Sequence, residues 1–263
     1  MSTLSVQLYS VRDQLAEDQN ATLARLAELG FRYVEPFGLG AEGRSFDERL
    51  VWARSLRAGF DAVGLTVSAV HAAVPPNIAE LAEECAVIGA DTAFIPHPRL
   101  VAGFDADTFA NPDQVDSFAD TLSSLARDAA THGLRLGYHN HWFEWAELPD
   151  GTAGYDRFWA RVTEELLAEL DVYWAAAAGV DPATVLSKLG PRAVAVHLKD
   201  GPAEPGAPQT PIGTGAVDIP AALKGTNGIR WHVAEIDTTE LDAYELLGGN
   251  ARFLLHAGLS RWS

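Results

Sequence analysis

Just past the middle of the 263-residue chain the sequence reads YHNHWFEW, from Tyr138 to Trp145. His139 and His141 are two apart, so in an extended strand they share one face. Glu144 follows in the same segment. Imidazoles and a carboxylate crowding the end of an apolar run are groups that bind metal ions or move protons. Similar groups recur downstream: Asp171 in ELDVYW, His197 and Lys199 in AVHLKD, Glu235 and Asp237 in VAEID. Glu144, Asp171, His197 and Glu235 would supply three oxygens and one nitrogen, a donor set that suits Mn²⁺, Mg²⁺ or Co²⁺ better than a thiolate-seeking ion. Three carboxylates around a divalent ion leave excess negative charge, which a protonated Lys199 would offset. Each residue also has a structural reading: Asp171 paired to a backbone amide, Glu235 bridged to a neighbouring base, His197 donating to a core carbonyl. Their recurrence at consecutive strand ends favours chemistry.

The elements that must position these groups alternate. Eight β-type runs begin near Leu4, Tyr33, Thr66, Thr92, Leu134, Ala168, Ala193 and Trp231. Several are almost continuously apolar, as strands buried on both faces of a parallel sheet are. Amphipathic segments separate them. NATLARLAELGF stops at Gly30, NIAELAEECAVIGA at Gly89, and DSFADTLSSLARDAATHGL at Gly133. Eight βα units in this length predict a (β/α)8 TIM barrel, with a doubly wound open sheet as the alternative. No Ser/Gly-rich linker divides the chain, so residues 1–263 are read as one domain. In such barrels the active site lies at the C-terminal strand ends. Those ends carry Gln7, Glu35, His71, His97, His139 with His141, Asp171 with Trp174, His197 with Lys199, and Glu235 with Asp237, and five of the eight histidines are among them. The least regular stretch, KDGPAEPGAPQTPIGTGAVDI, predicts a long loop over the mouth after strand seven.

Composition bounds the partners. A formal net charge of −17 and a pI near 4.7 disfavour a phosphate backbone, so no nucleic acid is expected. A small anionic substrate stays open, because a local field need not follow net charge. The single Cys85 excludes an intrachain disulfide and reads as a buried small hydrophobe on a helix. The N-terminus lacks the basic and apolar pattern of a signal peptide, and no apolar run reaches the roughly 20 residues of a membrane span. No membrane partner and a cytoplasmic location are therefore expected; a monomer and a homo-oligomer are equally compatible. GLGAEG matches a dinucleotide fingerprint but follows the second strand, with no suitably placed acidic residue ending a following strand, and reads as a flexible loop.

VQLYSVRDQL, GYHNHWFEW, ELDVYWAAAAGVDP, AVHLKDG, PIGTGAVDIPA and VAEID together resemble the sugar phosphate isomerase/epimerase family, the xylose-isomerase-like barrels. The resemblance runs from Gln7 to Asp237. It implies a divalent metal, Mn²⁺ first, with Mg²⁺, Co²⁺ or Zn²⁺ as alternatives, held by Glu, Asp, His and a second Glu. Asp171, His197 and Glu235 match the last three. The ketose 3-epimerases of the family carry their first Glu where this chain has Tyr138, and their sugar-holding Glu aligns with Glu144. The chain thus looks like a subgroup whose fourth ligand is Glu144, with His139 or His141 the second choice. Family epimerases use two carboxylate ligands as paired bases, a symmetry broken here. A free imidazole, His141 or His139, then serves as general base, with Glu235 and Lys199 also in catalytic roles. Gln7, Glu35, His71, His97 and Trp174 are the expected substrate contacts. The implied activity is isomerisation or epimerisation of a sugar, sugar phosphate or polyol derivative. The alternatives are a lyase or hydratase acting on a 3-keto sugar, 3-keto-glycoside or keto-inositol, and a noncatalytic sugar-binding barrel. An endonuclease of the same fold is disfavoured by charge and by the missing histidines of a trinuclear zinc site.

Overall fold

A computed structural model describes residues 1–226 and 228–262. The strands are β1 (Ser2–Gln7), β2 (Tyr33–Glu35), β3 (Phe37–Leu39), β4 (Thr66–Val67), β5 (Val70–Ala72), β6 (Thr92–Ile95), β7 (Arg135–His139), β8 (Leu167–Asp171), β9 (Ala193–Leu198), β10 (Trp231–Ala234) and β11 (Ser260–Arg261). All their pairings are parallel, and β10 pairs with β1, so the sheet closes. β2 and β3 form one barrel strand interrupted at Pro36, which has no N–H for the ladder. β4 and β5 form another, interrupted at Ser68 and Ala69. Counted this way, eight barrel strands lie among the described residues, at the eight expected positions. The short β11 was not expected; it pairs with the start of β1 (Ser2 opposite Ser260).

The helices begin and end where their capping chemistry allows. Asn77 caps the helix Ile78–Ile88, and Gly89 ends it at a φ of +89°, a conformation open to glycine. Asn111 caps Pro112–Thr131 through two backbone amides. Cys85 is buried on Ile78–Ile88, as expected, and burial pushes its thiol pKa up. No helix among the described residues is long and apolar enough to cross a membrane.

Two apolar layers follow from the period-two alternation of the strands. The larger lies between sheet and helices. The smaller, Ala69, Phe94, Ala195, Trp231 and Val233, fills the lower barrel interior. Gly137 makes room for it, since a Cβ there would stand 2.5 Å from the Phe94 ring. Above this plug the same inward positions turn polar: Ala195 is followed by His197 and Lys199, Val233 by Glu235, and Leu167 by Glu169 and Asp171. Apolar below and ionisable above is the sequence pattern that places a polar site at the C-terminal mouth.

Candidate active site

Strands β7 to β10 deliver the polar groups in register. His139 lies opposite Glu169, and Asp171 opposite His197. Asn140 ties two of these strand ends together, because its amide accepts from the Asp171 N–H (3.0 Å) and donates to the Asp171 carbonyl (3.3 Å). Asp171 also starts the helix Val172–Ala177, where its Oδ1 accepts from the Trp174 N–H at 3.0 Å. That cap fixes the carboxylate and leaves Oδ2 to the site.

His139, Asp171, His197 and Glu235 each offer a donor atom, and these atoms lie within 4.8 Å of one another. His139 Nε2 is 3.7 Å from Asp171 Oδ2, and His197 Nδ1 is 2.7 Å from Glu235 Oε2. Lys199 Nζ stands against the same carboxylates, 2.7 Å from Asp171 Oδ2, 2.6 Å from Glu235 Oε2 and 2.6 Å from Asp237 Oδ2. One layer below, Glu169 Oε2 lies 2.7 Å from His71 Nε2 and 3.1 Å from His139 Nδ1. Glu35 Oε2 lies 2.7 Å from His197 Nε2 and accepts from the Gln7 amide at 2.9 Å.

Burial and charge pull these groups in opposite directions. Desolvation and the Glu169 charge raise the Glu35 pKa to about 7, against the nearby imidazoles. Desolvation raises Asp171 to about 7 although Lys199 opposes it. Burial alone would raise Glu169, but His197 and the hydrogen bonds from three imidazoles hold it well below the ordinary carboxylate range. Burial opposes the charged forms of His197 and Lys199, yet the surrounding carboxylates hold both well above their ordinary values. Burial and the His197 charge depress His139 to about 3, so its ring is neutral. Five carboxylates (Glu35, Glu169, Asp171, Glu235, Asp237) thus face one ammonium and a few imidazoles. The oxygens Glu35 Oε1 and Glu169 Oε1 are buried without a hydrogen-bond partner among the described residues. An acid-rich pocket with two imidazoles and two carboxylates converging fits a divalent cation.

A cavity of about 460 Å³ opens above this cluster, with His71, His139, His141, Glu235 and Asp237 on its polar side. Tyr9, Phe37, Leu39 and Pro96 form an apolar wall, and Arg99 adds a cation. The glycine run GLGAEG supplies part of that wall through Gly38, Leu39, Ala41 and Glu42 rather than a nucleotide site. The His141 ring lines the cavity, and its Nδ1 has no hydrogen-bond partner among the described residues. Burial, with the nearby Lys199 charge, pushes its pKa well below the ordinary value.

The structure brings Asp171, His197 and Glu235 together with His139, one of the two second choices for the fourth position, rather than with Glu144. The expected ligand Glu144 is turned away: its Oε1 accepts from the Tyr138 hydroxyl (2.8 Å) and its Oε2 from the His141 N–H (2.9 Å). Of the residues read as substrate contacts, His71 and His97 line the cavity, whereas Gln7, Glu35 and Trp174 are buried and do not. Trp174 packs instead against Lys199 (5.2 Å) and Trp142 (4.7 Å). Sequence reasoning missed Glu169, Asn140 and Arg99. Glu169 had a signal, because it stands two residues before Asp171 and so on the same strand face.

A sequence profile of the Xylose isomerase-like TIM barrel family matches residues 23–232. The chain belongs to this family. Among solved structures, a sugar phosphate isomerase/epimerase from Parabacteroides distasonis ATCC 8503 superposes with a TM-score of 0.82 at 21% identity, covering 99% of this chain and 96% of that one. An L-ribulose 3-epimerase superposes at 0.68 with 16% identity, over 98% and 95% of the two chains. A probable 3-DHS dehydratase from Bacillus anthracis superposes at 0.71 with 13% identity, over 97% and 99%. At these identities the likeness is one of fold. No curated protein is significantly similar in sequence.

Proposed function

We propose that this xylose isomerase-like barrel is a divalent-metal-dependent isomerase or epimerase of a small sugar, sugar phosphate or polyol derivative, working by proton abstraction beside a carbonyl. The observation that carries the reading is the convergence of His139, Asp171, His197 and Glu235 at the barrel mouth, under a cavity of about 460 Å³. A divalent ion held by these four would polarise the substrate carbonyl and stabilise the charge that develops on its oxygen. Mn²⁺ remains the first candidate, and the second imidazole brings Co²⁺ and Zn²⁺ closer to it. His141, neutral and on the cavity wall, takes the proton from carbon. Lys199 holds the carboxylates in place and balances their charge. His71 and His97 orient substrate hydroxyls.

A second reading has its own support. With His139 where a carboxylate pair would be needed, the site has one base rather than two. One-base chemistry suits elimination or hydration beside a carbonyl, and a dehydratase shares the fold. The two readings share proton abstraction and differ in the fate of the carbanion.

The test begins with metal analysis of the purified protein, followed by a screen of keto sugars for deuterium uptake from solvent. Asp171→Asn should lose the ion and lower exchange by more than roughly 100-fold, with its circular dichroism unchanged. Exchange that survives both chelation and Asp171→Asn would sink the proposal. A rising enone absorbance with the same substrates would select the elimination reading, and ligand binding with no exchange would select a binding protein.

A further inference from the structure

Glu169 Oε2 has three imidazole nitrogens around it. His71 Nε2 is 2.7 Å away, His139 Nδ1 3.1 Å and His197 Nε2 3.2 Å. The other oxygen, Oε1, has no partner among the described residues, so the hydrogen bonding seen for this buried carboxylate falls on the imidazoles. An ionised carboxylate only accepts hydrogen bonds, so the nitrogens facing it carry the protons. His197 Nε2 is held the same way from a second side by Glu35 Oε2, at 2.7 Å. The opposite edge of each ring looks up toward the mouth. His139 Nε2 faces Asp171 Oδ2 at 3.7 Å. His197 Nδ1 faces Glu235 Oε2 at 2.7 Å, a contact that a cation between them would replace.

We propose that Glu169 is a positioning residue: with Glu35 it fixes the ring protons of His139 and His197 on the downward nitrogens, so that His139 Nε2 and His197 Nδ1 are the atoms offered to a divalent cation. The inference rests on the metal reading given above and specifies which atoms of the chain serve it. A carboxylate behind an imidazole fixes its tautomer and orientation and raises its basicity as a ligand. A single carboxylate serving two such rings is possible here because Glu169 and Asp171 project from the same face of β8, one layer apart. Glu169 with His71, His139 and His197 is itself close enough to surround an ion. The upper set brings two carboxylates, Asp171 and Glu235, to a divalent ion where the lower set brings one.

The experiment uses full-length protein with ¹⁵N-labelled histidine. Long-range ¹H–¹⁵N correlation of the metal-free form reads which ring nitrogen carries the proton, and a Co²⁺ titration reads affinity and stoichiometry. The wild type should show His139 protonated on Nδ1 and should bind one Co²⁺. Glu169→Gln, whose amide nitrogen cannot accept, should scramble the His139 pattern and weaken Co²⁺ roughly 10- to 100-fold. Glu169→Asp should restore the pattern in part. His139 protonated on Nε2 in the wild type overturns the proposal without any variant, so it remains decidable even where Glu169→Gln does not fold. Unchanged nitrogen signals and Co²⁺ affinity in Glu169→Gln overturn it too, as do two Co²⁺ per chain. Co²⁺ uptake with the tautomer reversed sinks the role of Glu169 alone. Absence of Co²⁺ uptake sinks the metal reading and this inference with it.

Discussion

Lys199 is a fully buried ammonium whose partners are Asp171, Glu235 and Asp237. It stands where it would compete with the proposed divalent ion for two of the same carboxylates. Two consequences follow for Lys199→Met. Without the ion, buried carboxylates lose their counter-charge, and the protein should lose about 3–5 kcal/mol of stability. With Mn²⁺ added, the melting temperature should rise more than in the wild type, because no ammonium opposes the ion. A thermal shift measured with and without Mn²⁺ decides this; equal shifts in the two proteins would refute the competition. Glu144 permits a second test. Its ordinary pKa of 4.5 is raised to about 8, mainly by burial, against the hydrogen bonds from Tyr138 and the backbone. A raised folded-state value means that the folded chain holds the proton more tightly than the unfolded one. The resulting stabilisation is full below about 4.5 and disappears as the pH rises through about 8. Glu144→Gln cannot titrate, so the melting-temperature advantage of the wild type over it should shrink between pH 5 and 9. A difference that stays constant with pH would count against this account.

At the scale of elements, the loop after β9 connects the mouth to Lys199. Asp200 is fully buried and accepts from four backbone amides: Gly201 at 2.8 Å, Gly213 at 2.9 Å, Gly215 at 3.0 Å and Val217 at 3.0 Å. The same loop carries Gln209, whose amide accepts from the Asp237 N–H and donates to Asp237 Oδ2. Asp237 in turn holds Lys199. A stretch that reads as irregular is therefore tied down by one acid, and hydrogen bonds to a charged acceptor are worth about 1.5–3 kcal/mol each. Asp200→Ala should expose residues 201–217 to limited proteolysis while the barrel stays intact; resistance equal to wild type would show that the loop is held otherwise. The loop illustrates what could be read in advance. Strands and the inward groups Asp171, His197 and Glu235 were legible, because alternation and apolar runs carry across the whole sheet. Glu144 was not, because the short turn Phe143–Trp145 sends its side chain back to Tyr138, and no periodicity marks such a turn. Glu169 was overlooked although it shares the strand face of Asp171, because it lies one layer beneath the mouth, where a strand normally carries packing residues. Gln7 and Glu35 end their strands as expected, but they face the buried underside of the cluster rather than the cavity.

For the molecule as a whole, the polar mouth depends on the apolar plug beneath it. Phe94 fills the lower interior because Gly137 leaves space: a Cβ at 137 would stand 2.5 Å from the Phe94 ring and 2.9 Å from the Leu167 carbonyl oxygen. Gly137 sits two residues before His139 on β7, and Leu167 two before Glu169 on β8. A displaced ring thus pushes on the strands that hold the imidazole and the carboxylate. Gly137→Ala should cost about 1–3 kcal/mol by overpacking. For a chain of this size that lowers the melting temperature by roughly 2–4 °C per kcal/mol. It should also weaken the proposed metal binding, although residue 137 is not among the four residues proposed to hold the ion. Phe94→Leu removes the colliding edge but opens a cavity when made alone. Because the two sites are in contact, their effects should not add. The double variant should be more stable than the sum of the singles allows and should recover part of the metal affinity. Strict additivity in thermal unfolding would mean that the plug does not set the position of β7, and that His139 is held by Glu169 and Asp171 alone.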